Sequence, residues 1–518
     1  MTQQLEQVNA TSGLPRFITV LPFDIVSKIF SRLSQDDCLE CMAVSRAMYR
    51  DVPCYSTRLW RKLWLGNQQM IHHQRLARCL GPHVEQVTLA SCRWEDEAHA
   101  FLQMLVDRNC VDMSCIEFAD CYIIHVDTLM QSLSPFRRLR RLSFLQHPRP
   151  LVPEQLIPHC TNTNITHLTV EVDYDAGSEQ VTYPPPPLTS QSSSDNNIIY
   201  LRWQDYRLKY YLFEDMVMPT LRHCPNLLYL STSSAIIRRR VALVDILNLC
   251  PKLRMFETTS WWEGYKDDIC SALSVTDNDD DDNGSTSHPL RYLSLEGSFD
   301  DDGNHDDPQS QSAFSQCIEE RCQALQYVML ASASTFALKA LTRLERLSAL
   351  HLRLPISWEN NATPSDLVHL FTKLASNTTL QVLNLEAAQL TTRPVLNAVA
   401  GLRSLLFLNI QPAPDIQQED LIAFVSSLTH LEALTLHSVA NVSEDLLNAI
   451  ANLEQLTSLT LDDCDRVDVE GTRILVDKKA SMKDKKQFVL HTMYSRFSEE
   501  DGIEEYVKSK PGIVFISS

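Results

Sequence analysis

Cys38 and Cys41 are the first residues whose spacing could do chemistry. Structural zinc takes four ligands, though, and no second cysteine pair or His-x-x-x-His accompanies them, so they read as helix core. Asp279, Asp281, Asn283 and Gly284 imitate the start of a calcium loop. Where that loop needs a bidentate glutamate the chain has Leu290, an apolar residue that opens one of the repeats described below. Pro184 to Pro187 could dock an aromatic-lined groove as polyproline II, but the Ser/Asn-rich run around them reads as a linker. Lys478, Lys479, Lys483, Lys485 and Lys486 could form a localisation signal and read more simply as a solvated edge. No Ser-His-Asp, phosphate-loop or paired-carboxylate arrangement is tied to a suitable strand or helix. The expectation is a chain with no catalytic residue, no metal and no cofactor.

The bulk properties agree. With 518 residues, 44% of them hydrophobic, the chain suits either several domains or one long repeat array behind a small module. Only 12 glycines disfavour folds built on glycine-rich phosphate loops. No basic-then-apolar leader and no run of membrane-spanning length is present, so a soluble protein, cytoplasmic and/or nuclear, is expected. The 15 cysteines, spread through apolar segments, fit reduced buried thiols. Of the net charge of −19, −10 falls within residues 277–307, which hold eleven Asp and Glu against one Arg. That balance argues against nucleic acid as a partner.

The elements that dominate the chain are repeats. A six-residue pattern, apolar at its first, fourth and sixth positions, recurs fourteen times, from VEQVTL at Val84 to LTSLTL at Leu456, with a polar sixth residue in LLYLST at Leu227 and LRMFET at Leu253. Six of the thirteen intervals are 25 or 26 residues, a regularity that chance does not give. The fourth and sixth positions share one side of a short strand and face a core. Between hexamers lie helical stretches such as 419–428 and 444–453, apolar at i, i+3/i+4 and i+7. One strand plus one helix per ~25 residues cannot bury its apolar side alone, so the units must stack.

This pattern resembles the leucine-rich repeat: an α/β solenoid, a horseshoe with parallel strands on the concave face and helices outside. Cys92, Cys121 and Cys464 stand at the ninth position of their units, as in the cysteine-containing subtype. The reading divides the chain into a flexible tail (1–16), a helical module (17–66), a solenoid of about 14 units (67–485) and a C-terminal capping segment (486–518). Insertions are placed at 171–197, 276–289 and 299–312, two of them acidic and expected to be mobile.

In residues 17–65, LPFDIVSKIFSRLSQDDCLECMAVSRAMYR…LW is similar to the F-box. Leu21, Pro22, Asp24 and Ile25 match its opening, Ile29, Phe30 and Leu33 its first helix, and Asp37, Val44 and Arg46 its second. Leu59 and Trp60 match its close; Met48 stands where tryptophan is usual. Three helices this short bury too little to be stable alone and should pack on a partner or on the first repeats.

The resemblance implies a non-catalytic substrate receptor of a Skp–cullin–F-box ubiquitin ligase. The linker-binding surface would be Leu21, Pro22, Ile25, Ile29, Phe30, Leu33, Val44, Leu59 and Trp60. Through the Skp-type linker the chain would join a cullin–RING ligase, with the repeats holding a protein substrate and no membrane or nucleic acid involved. A non-degradative interaction scaffold is the alternative. Third positions of successive units give Tyr200, Tyr229, Met255, Tyr292 and Tyr327. With Arg202, Glu257 and Glu296 beside them, they would form a solvent-facing row of anchors for the substrate. The Trp261–Trp262 loop and the C-terminal cap are the alternative places.

Overall fold

The computed structural model describes residues 18, 20–66, 73–92, 94–123, 125–147, 151, 153–160, 163–172, 197–205, 213–232, 243–258, 288–295, 308–331, 333, 335–354, 362–482, 487–495 and 502–517. The N-terminal tail, the tetraproline run, the calcium-loop-like stretch, Trp261–Trp262, Glu296, Lys483, Lys485, Lys486 and most of the three insertions lie outside them. The chain forms two compact units, residues 1–236 and 237–518.

The first unit begins with three helices, Phe23–Phe30, Gln35–Val44 and Arg46–Tyr55. Pro22 precedes the first, where its missing N–H costs no helical hydrogen bond. Ser34 starts the second: its hydroxyl accepts the Asp37 N–H at 3.1 Å, and the Asp37 carboxylate accepts the Ser34 N–H at 3.2 Å. Ser45 starts the third by accepting the Met48 N–H at 3.2 Å. Caps of this kind stabilise a helix by about 1 kcal/mol each. Val26, Phe30, Leu39, Met42, Met48, Val52 and Trp60 form the small core, with Met48 buried at the position where the F-box pattern has tryptophan.

This module is packed on the first repeat. Gln35 Nε2 donates to the Lys62 carbonyl (2.7 Å), and Gln35 Oε1 accepts the Trp64 N–H (3.1 Å), which satisfies backbone groups of the first strand. Arg75 donates to the Leu39 carbonyl (3.3 Å), and the Arg78 guanidinium lies 4.8 Å from the centre of the Tyr49 ring.

From there the strands run β1 (Lys62–Leu65), β2 (Gln86–Ala90), β3 (Cys115–Ala119), β4 (Arg141–His147), β5 (His167–Val172), β6 (Tyr200–Asp205) and β7 (Tyr229–Thr232). Each pairs in parallel with the next. The second unit holds β8 (Met255–Glu257), β9 (Tyr292–Leu295), β10 (Tyr327–Leu330), β11 (Ala349–Arg353), β12 (Val382–Glu386), β13 (Phe407–Ile410), β14 (Ala433–His437), β15 (Ser458–Asp462), β16 (Phe488–Met493) and β17 (Ile513–Ser517). These too are parallel, each paired with its sequence neighbour. Each unit is therefore a leucine-rich-repeat solenoid, and β2 to β15 are the fourteen hexamers in order.

The turn leaving many strands is built without glycine. Ser91, Asp120, Ser438 and Asp463 adopt left-handed backbone (φ 51–54°), costly for a side-chain-bearing residue unless its neighbours hold it. Here the turned amides bond forward to the next strand: Ser91 N–H to Ala119 O (2.8 Å), Asp120 to Leu145 (2.9 Å), Ser438 to Asp462 (2.9 Å) and Asp463 to Met493 (2.8 Å). Side chains repeat the link, Ser91 Oγ to Asp120 (3.3 Å) and Ser438 Oγ to Asp463 (3.1 Å). The following cysteines close it from inside. Cys121 Sγ donates to the Leu89 carbonyl (3.1 Å) and Cys464 Sγ to that of Leu436 (3.7 Å), both buried. A small, weakly donating thiol fits this turn, which explains the ninth-position cysteines.

The helices 419–428 and 444–453 read from the sequence are found at Gln418–Ser427 and Glu444–Ala451. At the C-terminus the structure departs from the sequence reading. The repeat does not stop at residue 485, because β16 and β17 extend the parallel ladder. The hexamer frame is hidden there: by register Gln487 and Gly512 stand at first positions and Thr492 and Ser517 at sixth, so neither end of the pattern is apolar. The helix Ile503–Lys508 between them is held by Asp477, which accepts from Tyr506 Oη (2.7 Å) and pairs with Lys510 (2.6 Å). Gly471 allows the helix Val469–Ser481 to approach its neighbour, since a Cβ there would meet the Glu444 Cα at 2.7 Å.

Candidate functional site

Two adjacent i,i+4 stripes run along the first helix of the N-terminal module. Val26 and Phe30 point inward, while Ile25 and Ile29 point out, 42% and 39% exposed. Leu21, Pro22 and Val44 are also exposed, and Leu33 and Leu59 are half-buried. Phe30 and Trp60, both expected on the linker surface, are instead core residues. The reason is visible in their contacts: the Phe30 ring stacks on Tyr55 (6.1 Å), and Trp60 Nε1 donates to Ser56 Oγ (2.8 Å). Val20, Phe23 and Trp64 add exposed apolar surface that the sequence reading missed; Phe23 and Trp64 are more than half exposed. So much uncovered apolar area on a module of this size marks an interaction face.

Cys38 and Cys41 sit on the second helix behind that face. Burial, then the charges of Cys41 and Asp37, push the Cys38 thiol up to about 12, which opposes the thiolate a metal would need. Among the described residues no group of three or more His, Cys, Asp or Glu is arranged to hold a metal. No described helix is long and apolar enough to cross a membrane.

The tyrosine row exists as two stacks. In the first unit His167, Tyr200 and Tyr229 stack across β5–β7, at 5.3 and 4.2 Å between ring centres. In the second, Met255, Tyr292 and Tyr327 are in register across β8–β10, and the Tyr292 and Tyr327 rings lie 4.2 Å apart at 9°. His351 closes that stack at 5.1 Å from Tyr327. Neither histidine was singled out from the sequence.

The expectation of solvent-facing anchors requires correction. Tyr229, Met255, Tyr292 and Tyr327 are buried, Tyr292 to 5% exposure, and so are Glu257, Ser231 and Ser294. Parallel rings cover one another's faces, and the small serines between rows let them lie flat. Burial pushes the Tyr327 phenol up to about 12, raises that of Tyr292 further and lowers His351 to about 4. Tyr200 and Arg202 are partly buried, the Arg202 side chain 18% exposed and paired with Glu171 at 2.9 Å.

Residues 18–65 match the F-box-like family model. No curated protein matches the chain significantly. Among solved structures, the Rad7–Elc1 complex in yeast is similar at 12% identity, covering 99% of this chain and 94% of that one (TM-score 0.32). The mouse RP105/MD-1 complex is similar at 13%, covering 80% and 71% (TM-score 0.33). An internalin C2 from Listeria monocytogenes is similar at 15%, covering 36% and 77% (TM-score 0.23). The chain joins an F-box-like domain to leucine-rich repeats, an organisation that supports a ubiquitin-ligase adaptor role.

Proposed function

We propose that this chain is the substrate-receptor subunit of a Skp–cullin–F-box ubiquitin ligase. The observation that carries the reading is the uncovered stripe of Leu21, Ile25 and Ile29 beside the buried Val26–Phe30 stripe of the F-box-like domain. A Skp-type linker would bury that stripe and bring in the cullin–RING assembly, in the cytoplasm and/or nucleus. Because the module is packed on β1 and the helix His73–Cys79, the linker end and the first repeats move as one body. A substrate held on those first repeats would be held near the ligase, and the chain contributes proximity and orientation while other subunits do the chemistry. Tyr200 and Arg202, partly rather than fully buried, are the substrate contacts retained from that row.

Affinity purification of the wild type beside Leu21→Ala/Pro22→Ala, with and without inhibition of the ubiquitin pathway, tests the reading. The wild type should bring down the linker, and its repeat-bound partner should accumulate under inhibition. The variant should keep the partner and lose the linker. A partner whose level never responds to inhibition would favour a non-degradative scaffold.

A further inference from the structure

The turn leading into β4, together with that strand's first residue, carries Arg137, Arg138, Arg140 and Arg141, all exposed, around the buried Leu139. Their backbone is held on both sides. The Arg140 and Arg141 amides donate to the Ser114 carbonyl (2.9 and 3.0 Å), while the Arg140 carbonyl accepts from Thr166 (2.9 Å) and His167 (3.0 Å). Asn164 also donates to the Arg137 carbonyl at 2.7 Å. The backbone that carries these guanidinium groups is thus bonded to the strands on both sides. Of these four, only Arg138 has an ion-pair partner among the described residues, Asp112 at 3.3 Å, and both side chains of that pair are more than half exposed.

Four like charges in five residues repel one another, and a chain of net charge −19 gains no solubility from them. Arg141 stands in register beside His167, where the His167–Tyr200–Tyr229 stack begins. Tyr200 follows one strand further along, in register with His167.

We infer that this patch docks an Asp/Glu-rich segment of a partner protein. Deepening the receptor reading, and resting on it, the inference gives the substrate an acidic recognition segment. Arg137 to Arg141 spans up to ~13 Å along the chain, which suits a run of several carboxylates better than one compact phosphate. The pairing already present at Arg138 is with a carboxylate, and arginine forks bind carboxylates through paired charge-assisted hydrogen bonds.

The test is fluorescence anisotropy of the full chain with a labelled Glu-rich peptide. The comparison probes are an oligo-lysine peptide, a neutral peptide with one phosphoserine, and a single-stranded oligonucleotide. Binding to the Glu-rich peptide should weaken with salt and fall about tenfold or more in Arg140→Glu/Arg141→Glu, given the loss of two charge-assisted contacts. Arg140→Gln/Arg141→Gln should show a smaller loss and covers the case in which charge reversal perturbs folding. Arg343→Glu/Arg346→Glu, an equal charge change among exposed residues of the second unit, should leave binding unchanged. Equal binding by both Arg140/Arg141 variants would overturn the proposal, as would stronger binding of the phosphoserine peptide or the oligonucleotide. Linker binding, measured on the same samples, separates the two readings. An intact linker interaction without peptide binding refutes the acidic segment alone, and loss of both in the wild type refutes the receptor.

Discussion

Replacing Tyr292 by Ala distinguishes a buried stack from a solvent-facing row of anchors. Tyr292 is 5% exposed, with its ring 4.2 Å from that of Tyr327. Truncating a buried aromatic costs about 3–5 kcal/mol in packed cores. The lower end, about 3 kcal/mol, is expected. Of that, about 1 kcal/mol belongs to the ring pair itself. Phe407, at a third position of the same unit but 44% exposed, should cost only about 1 kcal/mol on truncation. Urea unfolding of wild type, Tyr292→Ala, Tyr327→Ala and the double variant measures both quantities, the second as a coupling energy. If Tyr292→Ala lies within about 0.5 kcal/mol of wild type and the coupling vanishes, the burial argument is wrong and the row faces water.

Two further outcomes follow from buried titratable groups. Burial pushes the thiols of Cys38 and Cys79 up to about 12. In native protein at pH 8 iodoacetamide should therefore modify the exposed Cys54 and spare these two, as read by peptide mass mapping; early labelling of Cys38 would contradict the packed module. Lys479 is 5% exposed, with its ammonium against the carbonyls of Leu453 and Leu456, and burial lowers it to about 8. The unfolded chain then binds more protons than the folded one between pH 8 and the ordinary lysine range, so this group's contribution rises with pH, by roughly 3 kcal/mol at most. The stability difference between wild type and Lys479→Met should shift in favour of the wild type from pH 8 to 9.5; a flat difference would refute it.

The repeat strands were legible because a 1-4-6 apolar pattern needs no knowledge of what surrounds it. All fourteen hexamers became strands, whereas β16 and β17, with Gln487 and Gly512 at first positions and Thr492 and Ser517 at sixth, carried no such signal. On the first helix both stripes are apolar, so periodicity alone could not say that Val26–Phe30 would be inside and Ile25–Ile29 outside. The family resemblance singled out this helix and mixed surface residues with core ones. The tyrosine row was placed correctly within each unit, yet its burial depends on neighbouring rings and small serines acting together, which no single repeat encodes. Cysteine at the ninth position was recognised as a repeat feature; its thiol donation to the preceding unit's strand required the turn geometry of Asp120 and Asp463.

The central claim is that the F-box-like domain presents an apolar face to a Skp-type linker. Calorimetric titration of purified linker into wild type and into Ile25→Lys/Ile29→Lys addresses it directly, since both side chains are exposed and outside the module's core. Wild type should bind, and the variant should lose binding while keeping the wild-type circular dichroism and urea midpoint. Undiminished binding by the folded variant, or none by the wild type, would contradict the account.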